Sequence, residues 1–498
     1  MAVKQKRICT LIALCLTIAH LLAACQPQNG ETGAEPKNDS QTPAGDLNKI
    51  PGDEILPYMG YTFPNADYGG YDVMILHPDP EIIAWMYTEM LVEVENGDVV
   101  NDAIYKRSAI VEEKLGVTFK EMRAAPNDVG AILNRAISAD ADDYDIVFLT
   151  ADTVGSLVTQ GKLLNLYDIP ELSLESPWWD QNSQRSLALD GKLHMVATPA
   201  HLAFFGQLWC TYFNKKIIKD SGFEDPYAIL TENRWTFDKF FEMAKAAALD
   251  LNGDGAWGID DRWGAYVNGN LPNGFLHIIN EPTIYVDASG IPVLKSPTER
   301  LIGALEMIKQ YYPKNDGILA PSEHAMFQGR GNRGDFPNGN VLFFIDNLGT
   351  INGFRDMEDD FGILPIPKLN EAQENYSTWP GSWGPLLVIP ATAANPQRTA
   401  VIANALSAVT TDTTLPAYYE INIQRKTTRD EDSLITLEIL RESVNYDIGL
   451  IYGWTNLLAG YAANITKGAG SESPAVVYER LEGAAKAAIE KTMEALKN

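Results

Sequence analysis

The sequence predicts an α/β protein, and three observations carry that expectation. Short runs of β-branched and aromatic residues alternate with longer stretches whose apolar residues recur at helical spacing. At 498 residues the chain exceeds what one ordinary core organises, so two or more domains are expected. Hydrophobic content of 45% fits a chain that buries a large core, and no apolar run of membrane-spanning length recurs after residue 25.

Residues 1–25 read MAVKQKRICTLIALCLTIAHLLAAC. Lys4, Lys6 and Arg7 form a positive head, Ile8 to Leu22 a short apolar stretch, and small residues follow. That order is a secretory signal, too short and wrongly flanked for an anchor helix. Leu22-Ala23-Ala24-Cys25 resembles the bacterial lipobox, which implies cleavage behind residue 24 and a diacylglycerol on the Cys25 thiol. The expected place is the extracellular face of a bacterial cell membrane, with attachment by the lipid only. Residues 25–53 then hold the lipidated Cys25 and a stretch with no aromatic residue, too polar to order itself. Such a tether wanders roughly 30 Å from its anchor.

Beyond it the elements follow in order. Tyr71–Leu76 reads as a strand, Ala103–Leu115 as a helix and Val117–Phe119 as a second strand. Asn127 or Asp128 is placed to cap a helix that turns Ile132, Leu133, Ala136 and Ile137 inward. Tyr144–Leu149 is an apolar strand of the kind found in covered parallel sheets, and the helix after it ends at Gly161. Trp209–Phe213 is a strand, and Thr236 caps a helix over Phe237–Leu249. Val341–Ile345 and Leu386–Ile389 are further buried strands. Asn395-Pro396 opens a helix to Val409, and a last helix runs from Pro474 to the end.

Charge narrows the partners. Thirty-nine Lys and Arg stand against 66 Asp and Glu, a net of −27, and the leader removes three of the cations. A surface this acidic excludes nucleic acid and does not adhere to anionic lipid. Of four cysteines, Cys9 and Cys15 lie in the leader, Cys25 at its end, and only Cys210 in the body, so no disulfide framework is possible there.

The order of several short motifs resembles a known family. Tyr144-Asp-Ile-Val-Phe and Gly161-Lys-Leu-Leu-Asn-Leu precede Pro177-Trp-Trp-Asp180 and Tyr212-Phe-Asn-Lys215. Arg234-Trp-Thr-Phe-Asp-Lys239, Asp250-Leu-Asn-Gly-Asp-Gly255 and Thr427-Thr-Arg-Asp-Glu-Asp-Ser433 follow, ahead of Tyr446-Asp-Ile-Gly449. Together they look like an extracellular solute-binding protein of family 1, the lipoprotein of a carbohydrate ABC importer, in its long clostridial branch. The resemblance implies a periplasmic-binding-protein-like fold of two interleaved α/β lobes with a ligand cleft between them. It places the first lobe at 66–199 plus 384–445 and the second at 200–383 plus 446–498. It further implies a monomer, a carbohydrate ligand, and ABC permease subunits in the membrane as partners.

Candidate site residues follow from chemistry and from that layout. Sugar rings pack their C–H faces on aromatic planes and need fixed polar partners for their hydroxyls. Trp178, Trp179, Trp379, Trp383 and Trp454 sit in loops near the lobe junctions of the family's layout and are candidate cleft aromatics, whereas Trp209 and Trp235 are expected in the core. His77, Asp152, Asp346 and Asn347 stand just beyond or at the carboxyl ends of strands, where open α/β sheets bind ligands. Asp250, Asn252, Asp254, Ala256 and Asp261 fall at positions 1, 3, 5, 7 and 12 of a calcium-type loop, with Gly255 at the turn. Position 12 is Asp in place of the usual Glu. A structural Ca²⁺ is the expected cofactor. No nucleophile elbow, phosphate loop or histidine metal spacing is present, so no catalytic residue is assigned. The competing classes are a surface glycoside hydrolase or lyase, whose carboxylate pair carries no fixed spacing, and a surface adhesion module.

Overall fold

The apolar runs of the sequence become two main sheets in the computed structural model. It describes residues 57–82, 89–312, 314, 316–321, 336–354, 356–424, 431–454, 456–468 and 470–497. The leader, Cys25 and the tether lie outside the described residues. The strands are β1 (Tyr71–Pro78), β2 (Val117–Ala124), β3 (Ile146–Thr150), β4 (Trp209–Asn214), β5 (Trp263–Val267), β6 (Ile284–Val286), β7 (Pro292–Leu294), β8 (Leu319–Pro321), β9 (Val341–Asn347), β10 (Phe361–Leu364) and β11 (Pro385–Val388). The helices that matter below are α1 (Val99–Leu115), α2 (Pro126–Ser138), α3 (Ala151–Val158), α4 (Gln181–Leu187), α5 (Phe237–Ala247), α6 (Leu271–Ile278), α7 (Pro396–Asp412), α8 (Glu431–Glu442), α9 (Ile448–Ile451), α10 (Asn456–Lys467) and α11 (Pro474–Lys497).

The first sheet has the order β11-β3-β1-β2. β1 runs parallel to β2, pairing Tyr71 with Val117, and parallel to β3, pairing Ile75 with Ile146. β11 closes the β3 edge antiparallel, pairing Leu386 with Leu149. The second sheet has the order β10-β4-β9-β5-β8. β5 is parallel to β8 and β9, while β4 lies antiparallel between β9 and β10. The inner strands β3 and β5 are buried along their whole length because helices cover the sheets. β2 is an edge strand, and it continues through Lys120, Glu121 and Arg123 to Ala124, past the apolar run that marks it in the sequence.

Helix ends follow local chemistry. Asp98 accepts from the Val100 and Asn101 amides at 3.1 and 3.2 Å, so α1 begins four residues before its apolar stripe, and Gly116 ends it at φ 62°. α2 starts at Pro126 with no side-chain cap, in place of the cap expected at Asn127 or Asp128. Thr236 caps α5 and Asn395 caps α7, each by accepting an amide three residues on.

Two buried clusters fill the molecule. One surrounds the first sheet and continues onto a face of the second through Tyr212, Phe344, Phe354 and Phe361. The other lies under α5, α6 and α10, where Phe240 stacks on Phe343 at 5.0 Å and Trp235 lies 5.4 Å from Phe343. α8 rests on β10, where Thr436 Oγ1 donates to the Ile363 carbonyl at 2.9 Å. Cys210, the cysteine among the described residues, is fully buried in β4, and burial pushes its thiol pKa up.

Candidate functional site

Three stretches of chain pass between the two sheets, and they meet at one residue. The first, 197–208, leaves the edge of the first sheet, where Val196 bridges Leu387, and enters β4. The second, 365–384, returns from β10 to β11, and the third, 443–447, joins α8 to α9. Thr378, within the second, is fully buried and bonded to the third and to Trp209, the β4 residue that directly follows the first. Its hydroxyl donates to the Trp209 carbonyl at 2.7 Å, its amide donates to the Ser443 carbonyl at 3.0 Å, and its carbonyl accepts from the Asn445 amide at 2.8 Å.

The carboxyl ends of β1, β2 and β3 and the start of β11 define one wall of this junction. At it, the Asp152 amide donates to the Ser382 carbonyl at 3.2 Å, which brings the start of α3 beside the 381–384 loop. Asp152 is solvent-exposed, yet crowding by surrounding protein raises its carboxyl pKa, and Thr150 Oγ1 donates to it at 2.7 Å. Trp383, in the same loop, is half-buried. Asp180 stands nearby: its amide donates to the Ala197 carbonyl at 3.1 Å and its Oδ1 caps α4 at Ser183. Desolvation pushes the Asp180 carboxyl up to about 6 against the bond it accepts from the Ser183 amide.

Asp180 closes the Pro177-Trp-Trp-Asp180 motif, whereas Gln207 carries no family mark: it is 2% exposed at the end of the first connection, and its Nε2 donor has no hydrogen-bond partner. Its carbonyl oxygen would lie 3.8 Å from a Cβ on Gly381, a residue held at φ +69°. The signal that could have found Gln207 is a lone polar side chain inside the apolar run 202–210.

The remaining expected residues are scattered. Trp178 and Trp179 are buried, not cleft-facing: both indoles donate to Asn404 Oδ1 on α7, at 2.6 and 3.2 Å, and Trp179 also to the Leu172 carbonyl. Trp379 is buried between Trp209 and His277, with ring centroids 5.7 and 6.0 Å away, and Gly274 is the α6 residue that leaves room for its ring. Trp454 is 1% exposed, stacked on Tyr452 and donating to Thr492 Oγ1 at 3.0 Å. Each of these four indoles packs inside the protein, so cleft lining is corrected to core for all four. His77 is fully buried at the end of β1, with Nδ1 2.9 Å from the Pro78 carbonyl and Nε2 3.1 Å from Glu121 Oε2. Asp346 and Asn347 are buried at the end of β9; Asp346 Oδ1 accepts from Asn268 Nδ2 at 2.7 Å.

In the 250–261 loop the oxygens accept backbone amides. Asp250 takes those of Gly253 and Gly255 at 2.6 and 2.9 Å, Asn252 that of Asp254, and Asp254 that of Ala256. Asp261 is fully buried and accepts from Leu251 and Gly258 at 2.9 and 2.7 Å. Among the described residues, no three His, Cys, Asp or Glu side chains are gathered as a metal would need. A recess of about 300 Å³ lined by Asn338, Asp356, Glu358 and Asp359 sits at the opposite, amino ends of β9 and β10, away from the junction.

A family model described as bacterial extracellular solute-binding protein matches residues 106–421. Among solved structures, the cyclic alpha-maltosyl-1,6-maltose binding protein of Arthrobacter globiformis is similar at 13% identity and a TM-score of 0.56, covering 85% of this chain and 100% of that one. The GacH receptor of Streptomyces glaucescens, studied unliganded and with acarbose, is similar at 13% identity and 0.52, over 84% and 99% of the two chains. An ABC substrate-binding protein of Listeria monocytogenes in complex with cycloalternan is similar at 14% identity and 0.51, over 85% and 99%. No curated protein matches the sequence. The shared feature is the fold.

Proposed function

The chain belongs to the bacterial extracellular solute-binding proteins, and from that premise we propose that it is the substrate-binding lipoprotein of an ABC importer for an oligosaccharide or sugar derivative. The observation that carries the reading is the junction at Thr378, where three connections meet beside Asp152, Trp383 and Gln207. Such a junction lets two lobes close on a ligand by changes in a few connecting residues, here 198–205 and 383–387. The lobes are 66–199 with 384–445 and 200–383 with 446–498; α8, in the first, also rests on the second sheet. Trp383 offers a ring face, Asp152 and Asp180 accept hydroxyls, and Gln207 Nε2 donates one bond. The similar structures of the same fold, one studied with acarbose, one in complex with cycloalternan and one a cyclic alpha-maltosyl-1,6-maltose binding protein, support carbohydrate. The role is capture and delivery to permease subunits, as a monomer, without catalysis.

The test is a thermal-shift screen of the mature protein against a glycan panel. A rise in Tm with a glycan that is recovered unchanged supports the reading; a response confined to peptides or polyamines overturns it, and turnover of the glycan makes the protein an enzyme. Ca²⁺ is proposed for the 250–261 loop, supported by the spacing of its oxygen donors. Chelation is then expected to lower Tm, and an unmoved Tm leaves the loop as a set of side-chain-capped turns. Lipidation at Cys25 completes the proposal.

A further inference from the structure

The two lobes touch a second time, on the side of the first sheet away from the cleft wall. After α4 the chain turns at 189–192 and runs back antiparallel beside β11, with Val196 opposite Leu387. Pro385 pairs with Thr150 at the carboxyl end of β3, at the wall, while Leu163 bridges Pro390 past the far end of β11. Continued in that register, Thr198 lies level with Pro385. The 189–192 turn therefore stands beyond the amino end of β3, roughly 20 Å behind the wall at about 3.3 Å per residue.

Two pieces of the second lobe reach back to meet this turn. The Asp190 amide donates to the carbonyl of Gly290, at the tip of the β6–β7 hairpin, at 3.0 Å. Lys192 Nζ donates to the Leu496 carbonyl, in the last turn of α11, at 2.6 Å. A cation is favoured there by the unpaired carbonyls and by the helix dipole. Both tips are tight. Asp190 and Gly191 hold positive φ, 49° and 71°, as a two-residue hairpin connection between Leu189 and Lys192 requires. Gly290 sits at φ +78°, and a Cβ there would stand 3.1 Å from the Asp190 nitrogen. The hairpin and α11 form one piece, since β7 packs on α11.

The pivot lies between the wall and this turn. α9, in the second lobe, packs on α3 so closely that a Cβ on Gly155 would stand 2.1 Å from the Ile451 carbonyl oxygen. Gly155 is one helical turn behind Asp152, on the way from the wall to the 189–192 turn. Backbone already meets backbone there, so the lobes have no room to approach further at this point. A rotation that brings them together at the wall pivots on this contact and draws them apart on its far side.

We propose that the 189–192 turn, the Gly290 tip and the Leu496 carbonyl form a latch across the back of the hinge, which holds the ligand-free protein open and parts when the cleft closes. Lys192 is then a positioning residue for binding, although it lies outside the cleft. A ligand closes the lobes only by its preference for the closed form, so a contact made in the open form alone subtracts from affinity. The inference rests on the reading of the junction as a closing cleft, because a latch has nothing to release without closure.

The experiment is spin-label distance measurement on the ligand-free mature protein, with labels at Glu81→Cys and Asn270→Cys. Both positions are exposed, and they lie just past the junction-facing ends of β1 and β5, one on each lobe; Cys210 is buried and stays unlabelled. Lys192→Met keeps the side-chain stem and removes the donor, and Gly290→Ala wedges a methyl group between the two tips. Each is expected to raise the closed-to-open ratio about fivefold, the weight of one net hydrogen bond, seen as growth of a shorter-distance population. A glycan that raises the wild-type Tm is expected to bind both variants about fivefold more tightly in calorimetry. Wild-type distances and affinity in both variants overturn the proposal, and so does weaker binding. Should Lys192→Met fail to fold, Gly290→Ala, on a hairpin tip, decides alone. A panel that returns no glycan sinks the binding reading and leaves the ligand-free distances to decide the latch. A glycan that binds all three proteins alike, with unchanged distances, sinks the latch and leaves the binding reading standing.

Discussion

Asn404 Oδ1 accepts two indole donors from adjacent residues, Trp178 and Trp179, which are 226 and 225 positions away in sequence. Asn404→Leu keeps the volume and removes the acceptor. It is expected to destabilise the protein by about 2 kcal/mol, read from urea unfolding, because a buried N–H is left unsatisfied. Gln207 is the opposite case. Its Nε2 is buried without a partner, so Gln207→Leu is expected to stabilise the ligand-free protein by about 1 kcal/mol and to weaken ligand binding about tenfold. Calorimetry with a glycan identified by the screen checks the second half; unchanged affinity removes Gln207 from the site. Asp180 sets a pH dependence. Its folded pKa of about 6 lies above the ordinary 3.8, so the stability it contributes is complete below 3.8 and lost as pH rises to about 6. Asp180→Asn is expected to flatten that part of the stability profile, measured by denaturant midpoints across this range.

At the scale of elements, the sharpest demand is the α3–α9 approach. Gly155→Ala puts a methyl group 2.1 Å from the Ile451 carbonyl oxygen, a clash with backbone that no side-chain motion relieves. It is expected to cost about 2–3 kcal/mol and to lower Tm, with the second sheet's own packing unaffected. Elements of this kind were legible in the sequence where local chemistry decides them. The apolar strands β1, β3, β4, β9 and β11 and the capped helices α5 and α7 lie where their patterns place them, within a few residues. β2 ran past its apolar stretch because an edge strand needs only one buried face. The site was legible in part. Asp152 and Trp383 are neighbours in space, as strand ends and junction loops suggest, but the other four candidate tryptophans pack internally. A loop flanked by Ser and Pro looks exposed, and only an acceptor over 220 residues distant makes Trp178 and Trp179 core residues. Gln207 escaped notice because a single polar residue in an apolar stretch has no periodic signature.

For the whole molecule, the family and the fold were readable from the order of weak motifs, since each motif occupies a fixed place in a shared topology. Lipidation is tested at this scale. Cys25→Ala is expected to move the protein from the membrane fraction into the medium, followed by immunoblot of both fractions; full membrane retention refutes the lipid anchor. One consequence of the topology concerns synthesis and export. β3 receives its outer neighbour, β11, only from residues 385–388, so the Thr150–Val147 edge waits for about 240 further residues to emerge. At roughly 5–20 residues per second, that interval is on the order of ten to fifty seconds. Throughout it the first sheet has an open, apolar edge and cannot complete its core. A chain bound for translocation must remain threadable while it is being made, and late delivery of this strand builds that delay into the connectivity itself.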